Sequence, residues 1–456
     1  MDIQERLIRL EPFIETRDYP AIAAVLAPSA PVDIAELLSH LDESFISSVL
    51  QYLPASVTGE VLSHLDAELI PQIMKDLGSD RSAQILDTMY SDDVADLLGE
   101  LTPKEQKEVF DLMEDEDAED VKGLMVYPED TAGSIMTTEF VALNQHVTAE
   151  EAINILRAEA PSAETVYYVY VVDDDEVLVG VLSLRDLIVT PPSWPLEHIM
   201  HTRVKYVDDY MDQEEVARIV SRYDIMAVPV VDRNHRLVGI VTVDDVLDVI
   251  QEETTEDVFR MAGVHEDELE EDDSVPKMIW GAVKSRLPWL FVTLFGGILS
   301  STIMRGLESE LEAVVALAYF TPLLCGMGGN VGTQSSTVTV RGLSTGQISK
   351  SGFFATVLKE SSVGLIVGLF CAVILAVVAW VWQGSAILGI LLGITLICNM
   401  FIAATVGTAV PLVLKRLNVD PAVASAPFIS TSIDVLGLVI YSVLASLFIP
   451  LLTTGM

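Results

Sequence analysis

Residues Pro421–Leu451 read PAVASAPFISTSIDVLGLVIYSVLASLFIPL, an apolar stretch that contains one carboxylate, Asp434. A helix needs roughly 20 apolar residues to cross a hydrocarbon core of about 30 Å, so this stretch is long enough to span a membrane. Four earlier stretches have the same character: Leu287–Met304, Leu311–Gly328, Gly352–Val381 and Ile387–Val410. The C-terminal part of the chain is therefore predicted to be a transmembrane domain of five helices.

The charge of the chain divides just before this domain. Residues 1–276 contain 62 Asp and Glu against 17 Lys and Arg, a net charge of −45, whereas residues 277–456 carry a net charge of +3. Nucleic acid is excluded as a main partner, because phosphate binding needs a basic surface. An acidic surface concentrates cations instead, although the same charge could serve only to keep the domain soluble.

The basic residues near the apolar stretches predict the topology. They precede the first stretch, lie between the second and third, and follow the fourth: Lys284, Arg286, Arg341, Lys350, Lys359, Lys415 and Arg416. By the positive-inside rule the N-terminus is cytoplasmic and the C-terminus is outside. Met1–Leu10 is charged and predicts no cleavable signal peptide. We therefore expect a multi-pass protein of the cell membrane, inner or plasma, with its acidic part in the cytoplasm.

Asp434 is the carboxylate predicted to lie deepest within a span. An ionised Asp at membrane depth is costly unless it meets a cation or water. The sequence has no His after His265, and no Lys or Arg lies well inside a predicted span. Asp434 is thus either protonated and bonded to a neighbouring helix, or it faces a hydrated pore and meets a cation from solution. We favour the pore.

The second predicted span ends in GMGGNVGTQSST, residues 326–337. Non-helical backbone at membrane depth must line a cavity or be buried, but small residues also occur where helices pack closely. The pore-lining candidates are Gly328, Gly329, Asn330, Ser430 and Thr431. Asn399 and Ser432 offer further uncharged oxygens, which suit Mg²⁺ or Ca²⁺. A two-fold dimer would double a site built on one Asp per chain.

The cytoplasmic part begins with an internal repeat. Apolar residues recur twelve apart at Leu38, Leu50, Leu62, Met74, Leu86, Leu98 and Phe110. This period predicts paired short helices stacked into a superhelix, with the repeated residues in its core.

A second duplication follows. Residues 171–187, VVDDDEVLVGVLSLRDL, match residues 230–246, VVDRNHRLVGIVTVDDV. Each copy alternates a β-rich run with a helix, and the pair resembles tandem CBS domains over about residues 133–252. That resemblance implies an adenine-nucleotide site, although such pairs also have purely structural or ion-responsive roles. The candidates are Tyr168, Ser183, Arg185 and Asp186.

The order of a helical repeat, a CBS pair, an acidic helix at Val246–Met261 and five spans resembles the MgtE family of magnesium channels over essentially the whole chain. The implied fold is a mainly α multi-domain membrane protein with an N-terminal α-helical superhelix and an α+β CBS pair. We expect a helical-repeat domain at 1–131, CBS units at 132–193 and 194–252, a gating or connecting helix at 253–285, and the transmembrane domain at 286–456. The resemblance also implies a homodimer whose axial pore is lined by the second and fifth spans.

The resemblance assigns Asp434 as the pore ligand and a set of regulatory carboxylates. These are Glu60, Asp92, Asp96, Asp212, Glu214, Asp224, Asp245, Asp248, Glu253, Glu256, Asp257 and Asp420. High cytoplasmic Mg²⁺ would bridge them and close the pore, and low Mg²⁺ would let the acidic surfaces separate. One position fits the nucleotide site less well: the chain has Ile225 where an aromatic residue would stack better on adenine.

The sequence therefore predicts a Mg²⁺-selective channel for magnesium uptake, and not an enzyme, since it has no nucleophile–base constellation, P-loop or zinc spacing. An ion-coupled carrier and a nucleotide-sensing regulator that transports nothing remain alternatives. Mg²⁺ is the expected metal, and ATP is a second candidate ligand. The expected partners are a second copy of the chain, membrane lipid and divalent cations.

Overall fold

The computed structural model describes residues 3–66, 69–99, 101–113, 115–159, 163–264, 275–308, 311, 314–348 and 352–454. The chain divides into two compact units, Met1–Ile250 and Gln251–Met456.

Among the described residues, the first unit begins with ten helices, most of them about two turns long. They are α1 (Ile3–Thr16), α2 (Tyr19–Leu26), α3 (Pro31–Leu38), α4 (Glu43–Leu50), α5 (Ala55–Leu62), α6 (Ile70–Leu77), α7 (Ser79–Leu86), α8 (Ser91–Gly99), α9 (Pro103–Phe110) and α10 (Asp115–Leu124). In most of the helices α3–α9, the apolar residue of the repeat is the last residue of the helix. The period of twelve therefore corresponds to one short helix plus the turn that follows it. Leu38, Leu50 and Leu98 are fully buried, and Phe110 packs partly buried against the same core.

Two three-stranded sheets follow, each with one parallel and one antiparallel pair. The first contains β1 (Ala142–Asn144), β2 (Tyr168–Val172) and β3 (Leu178–Ser183), with α11 (Ala149–Glu159) after β1 and α12 (Leu184–Val189) after β3. The second contains β4 (Val207–Asp208), β5 (Ala227–Val231) and β6 (Leu237–Thr242), with α13 (Gln213–Tyr223) after β4. α14 (Val243–Ala262) begins directly after β6. This is the duplicated α+β architecture that the repeated sequence predicts.

The two sheets are joined by a reciprocal contact. Met136 packs on Gly239 of β6, and Met200 packs on Gly180 of β3, so close that a Cβ at either glycine would overlap the methionine side chain. Each methionine stands just before the sheet of its own repeat, and it covers a glycine in the other repeat. The same residue types at the same places in both copies therefore hold the pair together.

In the part of the second unit that the structure describes, there are five long helices: α15 (Val275–Gly306), α16 (Ala316–Ser344), α17 (Phe353–Gln383), α18 (Ala386–Arg416) and α19 (Ala426–Thr454). Among the described residues, four of them, α15, α17, α18 and α19, are long and apolar enough to cross a membrane. The second predicted span lies in α16, a 29-residue helix that starts at Ala316, later than expected, and runs to Ser344. Part of the predicted connecting segment, residues 265–274, lies outside the described residues.

The glycine-rich segment 326–337 is helical throughout, within α16. Of the two explanations that the sequence allows, the structure therefore supports close packing of small residues rather than non-helical backbone. Gly328, Gly329 and Gly332 are buried, and each faces a side chain of a neighbouring helix.

Candidate functional site

Three carboxylates from distant parts of the first unit meet at one point. One oxygen each of Asp92, Glu164 and Asp245 lies within 4.8 Å of the other two. Asp92 is in the first turn of α8, and Asp245 is in the first turn of α14. Glu164 lies in the segment between α11 and β2. Oxygen ligands at this spacing suit a hard cation such as Mg²⁺.

Local hydrogen bonds orient two of these carboxylates. The Thr242 hydroxyl donates to Asp245 Oδ2 at 2.5 Å, which makes Thr242 and Asp245 a cap at the start of α14. The Asp93 backbone N–H donates to Asp92 Oδ1 at 3.0 Å. A carboxylate keeps further lone pairs when one is used in this way, so both side chains can also bind a cation.

The electrostatics of the cluster favour a bound cation. Burial first, and then the nearby Glu164, raises the pKa of Asp92 to about 9, and only 8% of Asp92 is exposed. Burial and Asp245 raise the pKa of Glu164 to about 7. Burial also raises the pKa of Asp245 to about 6, against the lowering effect of the Thr242 hydrogen bond. Buried acids that repel one another are stabilised by protons or by a metal ion.

Glu139 positions α8 beside this cluster. Its carboxylate accepts hydrogen bonds from the Ser91 N–H at 3.1 Å and from the Ser91 hydroxyl at 2.8 Å. The Thr137 hydroxyl donates to the same carboxylate at 2.7 Å. An acidic residue of the CBS region thus caps the N-terminus of a helix in the repeat domain, and Asp92 is the next residue of that helix.

Sequence reasoning missed Glu139 and Glu164. Neither lies in a repeated motif, and Glu164 has no counterpart in the second copy of the duplication at a matching offset. Only the folded chain brings them to Asp92. Their signal in the sequence is weak, because acidic residues are common throughout residues 1–276.

The other predicted regulatory carboxylates of the first unit do not join the cluster of Asp92, Glu164 and Asp245. Glu60, Asp96 and Asp248 are exposed, although Glu60 is close enough to help raise the pKa of Tyr90 and of Asp93. Asp212 caps α13, and its side chain accepts from the Glu214 N–H.

Four more of the predicted regulatory carboxylates lie on α13, at its C-terminal end or on α14. Glu214 pairs with Arg218 at 3.3 Å. Asp224 ends α13 in a left-handed conformation, at φ 52°. Glu253 and Asp257 are half-buried on α14.

In the second unit, Asp420 faces a guanidinium group. Arg260 Nη1 lies 2.6 Å from Asp420 Oδ2, and Arg260 also contacts Glu256, one turn earlier on α14. Asp420 accepts a further hydrogen bond from the Ala422 N–H at 2.8 Å. Two predicted metal ligands therefore share one protein cation in this structure.

The predicted permeation residue, Asp434, lies on α19 near Gly329 of α16. A Cβ at Gly329 of α16 would be 2.8 Å from Ser430 Oγ and 3.8 Å from Asp434 Oδ1. Among the described residues, Asp434 Oδ1 is buried and has no hydrogen-bond partner. Glycine at 329 thus lets a helix backbone approach a carboxylate oxygen that nothing in the described chain satisfies.

The other pore-lining candidates are placed differently. Thr431 packs against Gly296 of α15. Asn330 is exposed, and Gly328 is buried against Asn399 of α18.

The nucleotide candidates come together at one end of the first sheet. Tyr168 of β2 pairs with Ser183 of β3. Asp186 accepts from the Ser183 N–H at 3.1 Å and from its hydroxyl at 2.6 Å. The hydroxyl bond is the largest cause that lowers the pKa of Asp186. Arg185 is exposed beside them.

Comparisons with known proteins agree with this architecture. The MgtE divalent cation transporter profile matches residues 321–444, the MgtE intracellular N domain matches 29–130, and the CBS domain matches 132–190 and 196–252. Over 326 residues, the chain is 45% identical to the magnesium transporter MgtE of Thermus thermophilus and 42% identical to that of Bacillus subtilis. These alignments cover 72% of this chain and 72% and 71% of the relatives.

Two solved structures resemble about half of this chain. One is the cytosolic domain of the Mg²⁺ channel MgtE in complex with ATP, at 43% identity and a TM-score of 0.51, covering 53% of this chain and 99% of that one. The other is the soluble part of a magnesium transporter, at 34% identity and a TM-score of 0.51, covering 55% and 99%.

The matching family profile, together with the helical repeat, the CBS pair and the long apolar helices, places the chain among multi-pass membrane transporters of divalent cations. The chain belongs to the MgtE family of magnesium transporters. Both of these relatives, at 45% and 42% identity, are named as magnesium transporters and not as enzymes.

Proposed function

We propose that this protein is a Mg²⁺-selective channel for magnesium uptake, closed by cytoplasmic Mg²⁺. In this proposal the chain acts as a homodimer with its N-terminus in the cytoplasm and its C-terminus outside. Membership of a magnesium transporter family and the likeness to the cytosolic domain of a Mg²⁺ channel support transport of Mg²⁺.

The buried Asp434 Oδ1 carries the proposal. A carboxylate oxygen without a partner at membrane depth is costly, and a hydrated Mg²⁺ ion removes that cost. Mg²⁺ gives up its water reluctantly. One carboxylate with nearby hydroxyl and backbone oxygens therefore suits an ion that is held through its water shell, and Ser430 supplies such a hydroxyl.

The cluster of Asp92, Glu164 and Asp245 supports closure by Mg²⁺. An ion there would bind carboxylates of the repeat domain and of both CBS units at once, so it favours the docked arrangement of these parts. A ligand shifts a two-state equilibrium only by its difference in affinity for the two states. A change from 1:99 to 99:1 requires about 5.5 kcal/mol, which the cluster and the other acidic surfaces would supply together.

Flux through reconstituted protein tests the permeation site. Asp434→Asn should abolish or strongly reduce Mg²⁺ uptake by proteoliposomes, because the neutral amide cannot attract the ion. Ser362→Ala is the control, since Ser362 is an exposed residue of α17 whose hydroxyl donates within that helix, to Leu358 O. Equal Mg²⁺ flux through the Asn variant and the parent would refute the proposal.

Two further measurements separate the alternatives. Single-channel currents would distinguish a channel from an ion-coupled carrier. A regulator that transports nothing would give no Mg²⁺ flux from either the parent protein or Asp434→Asn.

ATP is proposed as a second ligand, at Tyr168 and Arg185. The related cytosolic domain was solved with ATP, and in this chain an aromatic ring and an exposed guanidinium lie at the same end of the first sheet. Calorimetric titration with ATP should give binding that Arg185→Gln weakens and that Arg157→Gln, an exposed arginine on α11, leaves unchanged. Equal affinity in Arg185→Gln and the parent would exclude this location.

A further inference from the structure

Asn399 is an amide buried inside the transmembrane unit. It lies on α18, and only 1% of its surface is exposed. Its Nδ2 donates a hydrogen bond across to the Leu324 carbonyl of α16, at 2.7 Å. Its Oδ1 is buried and, among the described residues, has no hydrogen-bond partner. A polar side chain therefore links α16 to α18 in the interior of the unit, and its amide oxygen has no partner among the described residues.

Two glycines on different helices make room for this amide. A Cβ at Gly328 of α16 would lie 2.7 Å from Asn399 Nδ2, and a Cβ at Gly437 of α19 would lie 2.7 Å from Oδ1. Real Cβ atoms do not approach other atoms so closely. Asn399 thus occupies a slot whose walls are the backbones of α16 and α19.

The same two helices carry the proposed permeation site. Gly328 precedes Gly329, the residue that faces Asp434 Oδ1 and Ser430 Oγ. Gly437 follows Asp434 by three residues, nearly one helical turn. Asn399 therefore contacts α16 and α19 within about one turn of Gly329 and Asp434.

The geometry points to Asn399 as a positioning residue that sets the separation between Gly329 on α16 and the Asp434 carboxylate on α19. That separation in turn sets the preference of the site for Mg²⁺ over larger divalent ions. This inference rests on the proposed function, since it takes Asp434 as the permeation residue. In a site that holds a hydrated ion, a small change in separation alters the fit of the water shell. The hydrogen bond to Leu324 and the two glycine contacts fix that separation.

The test compares isosteric variants in proteoliposomes. Asn399→Leu keeps the approximate volume and removes the interhelical bond. Thr395→Val is the matched control, because Thr395 is equally buried one turn earlier on α18 and its hydroxyl bonds within its own helix, to Leu391 O. The concentration of Mg²⁺ at half-maximal flux, the maximal flux and the ratio of Mg²⁺ to Ca²⁺ flux are measured for each, with Asp434→Asn as the reference.

We expect Asn399→Leu to raise the half-saturating Mg²⁺ concentration and to lower the Mg²⁺ to Ca²⁺ ratio. Measured interhelical hydrogen bonds predict a change of about threefold to twentyfold, and Thr395→Val should match the parent. If Asn399→Leu does not purify as the parent does, Asn399→Ala removes the same amide with a side chain that fits the slot.

Two outcomes would overturn the inference while leaving the proposed function intact. One is parental half-saturation and ion preference in both Asn399 variants while Asp434→Asn abolishes flux. The other is a fall in maximal flux alone, which shows a merely structural role. Undiminished flux in Asp434→Asn would instead remove the proposed function and this inference with it.

Discussion

At the scale of single residues, buried carboxylates are the chemically important groups in both units. Asp92 is 8% exposed and lies among other acids, and Asp434 has a buried oxygen without a partner among the described residues. Burial disfavours the charged form of an acid. A proton or a metal ion must therefore offset the cost, and the choice between them depends on pH and on Mg²⁺.

The first prediction concerns pH. The pKa values of about 9 at Asp92, 7 at Glu164 and 6 at Asp245 all lie above the ordinary values of the unfolded chain. In the metal-free folded protein these three side chains therefore hold more protons than in the unfolded chain between about pH 4 and pH 9, and their contribution to the free energy of unfolding falls as pH rises through that window.

Thermal melting of the full-length protein in detergent checks this expectation. In a chelator, the Tm should fall as pH rises, and millimolar Mg²⁺ should raise the Tm more at pH values near 8 than near 5. Asp92→Asn should reduce both effects. A Tm gain from Mg²⁺ that is independent of pH would contradict the assignment of these acids as its ligands.

The second prediction tests Glu164. Glu164→Gln keeps the shape of the side chain and removes one of the three carboxyl groups, so Mg²⁺ should bind the cluster more weakly. We expect the cytoplasmic Mg²⁺ concentration at half closure to rise by roughly tenfold, a typical lower cost for disturbing a metal site. Patch-clamp recording with Mg²⁺ varied on the cytoplasmic face measures it.

Glu129→Gln is the matched control for Glu164, because Glu129 is an exposed acid of the same unit. A closing concentration that is the same in Glu164→Gln as in Glu129→Gln would show that Glu164 is not a ligand.

At the scale of elements, α14 combines two kinds of cation contact. Its first turn presents Asp245 to the carboxylate cluster, and its last turn presents Arg260 to Asp420. The guanidinium is a cation that the chain itself supplies, between two acids predicted to bind Mg²⁺. It would compete with Mg²⁺ for Glu256 and Asp420, and it would hold the end of α14 when Mg²⁺ is absent.

The third prediction follows from this competition. Arg260→Gln should raise the open probability at negligible cytoplasmic Mg²⁺, because α14 loses its metal-independent attachment. Arg260→Lys should raise the open probability less than Arg260→Gln does, since an ammonium keeps the charge but not the planar fork of donors. Asp420→Asn should add nothing to Arg260→Gln, because both remove the same pair. Additive effects of the two substitutions would rule out the pairing as the cause.

At the scale of the whole molecule, the acidic part and the nearly neutral part of the chain correspond to two different tasks. The acidic sequence before residue 277 attracts cations, and the nearly neutral sequence after it forms the apolar helices. One Asp434 per chain makes a sparse site, so a two-fold dimer that brings two copies to one axis remains our expectation.

The fourth prediction is therefore that two chains form one particle. Multi-angle light scattering of the detergent-solubilised protein should give twice the mass of the chain after correction for detergent. A monomer that conducts Mg²⁺ at the parental rate would contradict a pore on a dimer axis.

Local patterns predicted most of the architecture. The period of twelve, the duplicated strands and the apolar stretches each depend on residues close in sequence, and the structure has helices and sheets where they were expected. The second span was less well predicted. Its glycines and hydroxyls lower its hydropathy, and only the folded chain shows that these glycines pack closely against Asn399, Ser430 and Ile433.

The sequence by itself determined the order of the domains, the apolar helices and the buried acid in the last one, because periodicity and hydropathy are short-range properties of a chain. The tertiary structure decided which acids meet: Asp92 and Asp245 come together with Glu164, and Asp420 meets Arg260. It also decided that Asn399 lies between α16 and α19. Such meetings depend on how distant elements pack, and no local pattern in a single sequence encodes that packing.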